Sequence, residues 1–217
     1  NTIKSNQIMS IDKDTLLYGS FAKTAGSTGC LFHNAGFKKH NINAIYKSFS
    51  INSIKDAVAA MKTLNIKGAG VTMPFKIQVL EHLDVHKDGV TEIMACNTLV
   101  NDNGTIIGYN TDFLAAMDYL RPLNLKDIII LGRGGYAKAV TYACKNLNIK
   151  VININREHWT SIEYIKNKTV FNCTPVTNIK THKSVNFIDC IVSTKTGKEL
   201  SDIQARYQFK IYTGLDY

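Results

Sequence analysis

The sequence predicts an α/β fold in two parts, an N-terminal α/β unit and a C-terminal nucleotide-type unit with a parallel sheet. Three observations predict it. Short β-like runs alternate with helix-like stretches along the whole length, which implies strands covered by helices on both faces. A glycine-rich loop, Gly132-Arg133-Gly134-Gly135, joins a run of branched apolar residues to a helix-like stretch. Arg121-Pro122-Leu123 marks a break, after which the alternation becomes regular. The expected domains are therefore residues 1–121 and residues 122–217.

The elements follow in order. Thr15 to Gly19 reads as a first strand, followed by a Gly/Ser/Thr-rich loop and a helix from Cys30. Ala44 to Phe49 alternates with a period of two and reads as a strand. Ser53 is a plausible N-cap for a helix whose apolar residues fall at 54, 57, 58 and 61. Gly68 to Met73 is a strand stopped by Pro74. Asn97–Val100 and Thr105–Tyr109 flank a turn at residues 101–104 and form a hairpin. Thr111 opens a helix that ends near Arg121-Pro122. Beyond it, Asp127–Leu131, Lys150–Ile154, Thr169–Asn172 and Asn186–Val192 are strands, and Tyr136–Leu147 is a helix.

Composition narrows the function classes. The 217 residues are 45% hydrophobic, enough for a real core, and no apolar run approaches the roughly 20 residues that span a bilayer. Collagen-like, disordered and disulfide-scaffold classes are excluded. The start, Asn1 to Asn6, lacks a signal-peptide core and an initiator Met, and reads as a processed end. The cysteines, Cys30, Cys96, Cys144, Cys173 and Cys190, are scattered, with no CxxC and no Cys/His cluster. They read as free thiols of a cytoplasmic protein, and no metal site is expected. Net charge is +9, yet 22 of the 26 basic residues are Lys and only 4 are Arg, with Ile and Asn abundant. That bias fits A/T-rich coding better than a nucleic-acid footprint, which clusters Arg with aromatics. The positive field favours an anionic small molecule.

Several residues carry chemistry. In Gly132–Ala137, Gly132 permits a tight turn, Gly134 lets the backbone approach a pyrophosphate, and Ala137 allows close helix–strand packing. The helix start supplies free N–H groups to the phosphates; the alternative is a βα turn with no ligand. The second strand's tip, Asn155-Arg156-Glu157, places a guanidinium where a 2′-phosphate would lie, which favours NADP, although Glu157 opposes it. Lys76 opens a helix at a strand's carboxyl edge, where the macrodipole disfavours an ammonium, an odd place for a structural Lys. Asp112 falls in a helix's first turn and could be plain capping, and Asn97-Thr98 could be plain turn chemistry.

In combination these residues resemble the shikimate dehydrogenase family. The runs are Gly68–Lys76, Ala95–Val100, Gly108–Asp112, Gly132–Ala137, Asn155-Arg156 and Asn172–Pro175, in family order from about Leu16 onward. The resemblance implies a substrate domain plus a Rossmann-type domain, with the active site in the cleft. It implies NADPH-dependent reduction of 3-dehydroshikimate to shikimate, in aromatic amino-acid biosynthesis. The substrate would be a shikimate-like carboxylic acid, with neither nucleic acid nor membrane as partner, in a monomer or homodimer. Lys76 and Asp112 match the catalytic pair, and Ser27, Thr72 and Asn97 match substrate binders. Gly132, Arg133, Gly134, Gly135, Tyr136, Asn155, Arg156, Thr174 and Gly214 match the cofactor site.

The departures are equally informative. The family's Ser-x-Ser-Pro, whose hydroxyls hold the substrate carboxylate, appears as Ser27-Thr28-Gly29-Cys30, in a loop two residues longer. The Asn of Gly-x-Asn-Val-Thr is Gly70. The Tyr and Pro of a late Asp-x-x-Tyr-x-Pro run are Val192 and Thr194. This pattern resembles the shikimate-dehydrogenase-like branch. The helices that return to the first domain and bring a Gln to the substrate are expected to be missing from a chain ending at Tyr217. Two alternatives stay open: a quinate-type hydroxy-acid dehydrogenase, and a degenerate member that binds ligand without turnover.

Overall fold

A computed structural model describes residues 10–217, so the N-terminal start read above lies outside the described residues. The first part runs β1 (Leu16–Ala22), α1 (Thr28–Lys39), β2 (Ala44–Ser50), α2 (Ile54–Thr63) and β3 (Gly68–Val71). It continues through the short α3 (Phe75–Gln78), β4 (Val85–His86), α4 (Val90–Ile93), β5 (Thr98–Asp102), β6 (Thr105–Tyr109) and α5 (Asp112–Leu120). These strands form a six-stranded sheet in the order β2-β1-β3-β5-β6-β4. The sheet is mixed: β1 pairs parallel with β2 and β3, while β5 runs antiparallel to β3 and β6. The antiparallel pair is the predicted hairpin, turned at Asn103-Gly104 with φ of 50° and 93°, as a two-residue turn matching strand twist requires.

The second part holds β7 (Asp127–Leu131), α6 (Gly135–Asn146), β8 (Lys150–Ile154), β9 (Thr169–Asn172) and β10 (Asn186–Asp189). Its sheet is wholly parallel, in the order β10-β9-β7-β8. The connection from β8 to β9 is a 3-10 turn over Arg156–Tyr164 rather than an α-helix. Ile128 and Ile130 pack against α6 on one face, and Ile129 and Leu131 pack on Ile162 and Val170 on the other. Both faces of β7 are therefore dry, which its unbroken apolar run foretold.

Helices α1, α2 and α6 share one ending. Each is followed by Asn-Ile: Asn41-Ile42, Asn65-Ile66 and Asn148-Ile149. The Asn takes left-handed φ, 54°, 50° and 56°. The Ile amide then donates back to Phe37, Met61 and Cys144 at 2.8–3.0 Å, the bonding of a Schellman motif. Some of the chain's abundant Asn thus has a structural use. Ser53 caps α2 as expected, accepting from the Asp56 amide at 3.2 Å.

One expectation is overturned. A helix does return to the first part: α7 (Lys195–Thr213) packs on α1 and α5. Its Phe209 is fully buried with Tyr18, Phe37 and Tyr46, and its Gln204 and Gln208 face the cleft. The chain reaches α7 directly after β10, with Thr194 capping through the Gly197 amide at 3.0 Å. Residues 195–213, assigned by sequence to the second domain, thus contact the first.

Candidate functional site

A cavity of about 330 Å3 opens between the two sheets, within the usual range for small-molecule sites. Lys76 and Asp112 meet there. Lys76 sits in α3, just past the carboxyl end of β3, and its carbonyl accepts from the Cys96 amide at 2.8 Å. Asp112 is the first residue of α5. Its carboxylate is 5% exposed and accepts from Lys76 Nζ at 2.6 Å. Capping does not use it, because Asn110 Oδ1 accepts from the Phe113 amide at 3.2 Å instead. The plain-capping reading of Asp112 therefore fails on geometry. The macrodipole expected beneath Lys76 is also corrected, since α3 has only four residues and cannot align many peptide dipoles. What faces the ammonium is the Asp112 carboxylate and, 5.6 Å away, the ring of Tyr136.

Around this pair, Thr72 and Asn97 line the cavity as expected. Asn97 is nearly committed within the protein. Its Oδ1 accepts from the Thr111 amide and Thr98 hydroxyl, and its Nδ2 donates to Thr111 Oγ1. One N–H remains for a ligand. Ser27 is exposed at the start of α1 and does not line the cavity; Thr28 and Gly29 do. Val192 lines it as well, so no phenol stands there.

The glycine-rich loop fits a dinucleotide. Gly132 has φ of 112°, and a Cβ there would lie 2.8 Å from Thr174 Cγ2. Thr174 is held over the loop by its hydroxyl's bond to Asn172 Oδ1 at 2.7 Å. Gly134 is the N-cap of α6, and a Cβ there would meet nothing within 4 Å. The first turn of α6 has no side-chain cap and no acidic residue, so no side chain of the helix start offsets its dipole. Gly135 approaches Lys76 closely, a Cβ there lying 3.3 Å from Lys76 Cβ. Arg133 and Arg156 are exposed, Arg156 with its guanidinium 5.8 Å from the Trp159 ring. Asn155 begins the 3-10 turn without making a capping bond. Gly214 is elsewhere: it is the left-handed C-cap of α7 and lines no part of the cavity, whereas Gly197 does. Among the described residues no group of three His, Cys, Asp or Glu side chains could hold a metal, and no helix is long and apolar enough to cross a membrane.

Sequence reasoning missed the far wall. Gln208 is buried, donates to Thr98 Oγ1 at 3.0 Å, and pairs its Oε1 with His33 Nε2 at 3.3 Å. Gln204 accepts from the Thr111 hydroxyl at 3.1 Å. Two Gln four residues apart share one helix face, the only sequence signal available. His33 is fully buried and its Nδ1 has no partner. Burial pushes the His33 imidazole down to about 4, against a weaker upward pull from Gln208. The unfolded chain, titrating near 6.5, therefore takes the proton first. Its stabilising share is complete above pH 6.5 and falls by about 3 kcal/mol as pH drops to 4. Urea denaturation across that window should show the decline, and His33→Gln should flatten it.

The fold and site define an α/β protein of dinucleotide-binding architecture, with a half-buried Lys paired to a buried Asp at the cavity between its two sheets. The shikimate dehydrogenase substrate binding domain is matched by residues 22–99. A shikimate dehydrogenase (NADP(+)) of Caldanaerobacter subterraneus subsp. tengcongensis is 32% identical over 198 residues, covering 86% of this chain and 70% of the relative. The chain belongs to the shikimate dehydrogenase family. A shikimate dehydrogenase-like protein of Haemophilus influenzae is 35% identical over 158 residues, 71% of this chain, and the match spans 58% of that relative's length. The crystal structure of shikimate dehydrogenase from Aquifex aeolicus superposes with a TM-score of 0.82 at 28% identity, over 96% of each chain. A shikimate dehydrogenase solved in complex with NADP+ gives 0.78 at 25% identity, over 95% of this chain and 93% of that one.

Proposed function

We propose that the chain is an NADP-dependent oxidoreductase that interconverts 3-dehydroshikimate and shikimate, or a close cyclic hydroxy acid. The observation that carries this is the Lys76–Asp112 pair, 2.6 Å apart with a buried carboxylate and a half-buried ammonium, facing a cavity that Tyr136 in the uncapped first turn of α6 also borders. Residues 132–136, with Thr174, would hold the pyrophosphate end of the dinucleotide, and Asn155 with Arg156 its adenosine end. When bound, the nicotinamide supplies or accepts the hydride. Lys76 donates a proton from Nζ to the ketone oxygen in reduction and takes it back in oxidation. Asp112 holds the ammonium on that oxygen and balances its charge. Thr72 and the free N–H of Asn97 would hold ring hydroxyls. The expected division into a substrate domain and a cofactor domain fits this reading, with α7 contributing Gln204 and Gln208 from the second segment to the first.

A second reading, a quinate-type dehydrogenase, is favoured by the carboxylate loop, where Ser27 is exposed outside the cavity and Gly29 has no side chain. Following NADPH absorbance with 3-dehydroshikimate and 3-dehydroquinate separates the two. Decay with neither, while NADP still binds, would favour a binding member without turnover. Cofactor choice rests on Arg156. Arg156→Ala should weaken NADP by about 1.5–3 kcal/mol, the loss of charged hydrogen bonds, and leave NAD nearly unchanged. Equal losses for both in titration would assign Arg156 to adenine stacking instead.

A further inference from the structure

Thr111 is the N-cap of α5, directly before Asp112, and is fully buried. A Thr at that position ordinarily spends its hydroxyl on the free amides of the helix start. Thr111 makes no such bond, and Asn110 Oδ1 accepts from the Phe113 amide in its place. The hydroxyl is used elsewhere. It accepts from Asn97 Nδ2 at 2.8 Å and donates to Gln204 Oε1 at 3.1 Å. The Thr111 amide also donates to Asn97 Oδ1, at 2.7 Å.

These bonds run in one direction. A backbone N–H only donates, so the oxygen of the Asn97 amide faces it and the nitrogen faces the Thr111 hydroxyl. That hydroxyl accepts from Asn97 and has its one proton left for Gln204, so the oxygen of the Gln204 amide meets it. Gln204 lines the cavity, and with Oε1 held by Thr111 its Nε2 is the end left for a ligand. One main-chain amide thus sets the polarity of two side chains. Both offer N–H groups to the cavity that the Lys76 ammonium also lines. Such a wall suits ligand oxygens that accept, whether ring hydroxyls or a ketone. Asn97 and Thr111 belong to the first part and Gln204 to α7, so the chain of bonds is complete only when α7 is docked.

We propose that Thr111 is a positioning residue: its hydroxyl holds Gln204 with the amide nitrogen turned to the cavity, and so ties the docking of α7 to ligand binding beside Lys76. Thr111 is not among the residues that line the cavity, so it acts through Gln204. This rests on the ring-acid reading above and adds the residue that orients a binding group for it.

The test is calorimetric titration of the whole chain with whichever of shikimate and quinate wild type binds more tightly, beside steady-state kinetics with the matching ketone and NADPH. Thr111→Val keeps the branched shape and deletes the hydroxyl, so Gln204 is free to turn. Affinity should fall by about 3- to 12-fold, the loss of one neutral hydrogen bond, and KM should rise with it. The kcat should change by less than about threefold, because Lys76 and Asp112 keep their contact. Thr111→Ser, which returns the hydroxyl, should recover most of the affinity. Gln204→Met should weaken the ligand by a similar factor. Adding Thr111→Val to it should cost little more, since the group that Thr111 orients is gone. A Thr111 that serves the fold alone would lower affinity equally in both backgrounds. Should Thr111→Val fold poorly, Thr111→Ala deletes the same hydroxyl without pressing a methyl on the two amides, and should give the same pattern. Wild-type affinity in either folded variant, or a loss that adds to that of Gln204→Met, would overturn the Thr111 assignment. If wild type binds neither acid, the ring-acid reading falls and the proposal falls with it.

Discussion

Lys76→Ala is expected to lower kcat by about 10²–10⁴ with 3-dehydroshikimate, the range for a positioned acid/base, while substrate affinity changes much less. Among the described residues, Lys76 is the only Lys or Arg that lines the cavity, and its half-buried ammonium is oriented by its 2.6 Å contact with Asp112. Asp112→Asn should cost a comparable amount. It keeps the side chain's shape but removes the charge that orients Lys76. The double variant should lose little more than either single one, because two groups acting on one substrate oxygen do not contribute additively. Steady-state kinetics of the three variants checks this. A Lys76→Ala enzyme retaining most of its kcat would remove the dyad from the account.

Phe209→Ala should destabilise the fold by about 3–5 kcal/mol in urea denaturation, the usual cost of deleting a buried aromatic ring. Phe209 is 0% exposed, lies 5.9 Å from the Phe37 ring and 5.3 Å from the Tyr217 ring, and is the main apolar anchor of α7 on α1. A loss below about 1 kcal/mol would mean that α7 does not dock there in solution. Because α7 also carries Gln204 and Gln208, a partly undocked helix should weaken ligand binding in the same variant.

How much of this was legible varies by element, for physical reasons. Strands β7, β8 and β9 are read to the residue: β7 and β9 are bounded runs buried on both faces, while β8 is a partly exposed edge strand that still shows as a short branched run. β10 ends at Asp189, three residues before its apolar run does, where Asp189 Oδ1 turns to accept from the Ile191 amide. α7 escapes because its buried stripe includes Gln208 beside Leu200, Ala205 and Phe209, so a polar residue interrupts the apolar period. The Asn-Ile helix endings were visible but read as composition, since an Asn shows its left-handed role only once the helix length is known.

The site divides in the same way. Lys76 and Asp112 are ordinary residues singly. They are 36 positions apart, and the sheet closes that distance by placing β3 and β6 on either side of β5. The glycine-rich loop is local, and its turn and the helix that follows were legible as a motif. His33 fell inside the helix read from Cys30 and drew no separate reading, because its contact with Gln208 exists only across elements. Gly214 was read into the cofactor site by position, and its left-handed φ of 74° instead ends a helix.

The central claim is that hydride passes to a ring ketone in the cavity that Lys76 and Asp112 border. The measurement that tests it most directly is turnover of 3-dehydroshikimate with NADPH carrying deuterium at both positions of the reactive carbon, followed by mass spectrometry of the product. The account predicts shikimate one mass unit heavier, with the label on the former ketone carbon, and almost none from Lys76→Ala. Unlabelled product, or no product from any ring ketone while NADPH remains bound, would contradict it.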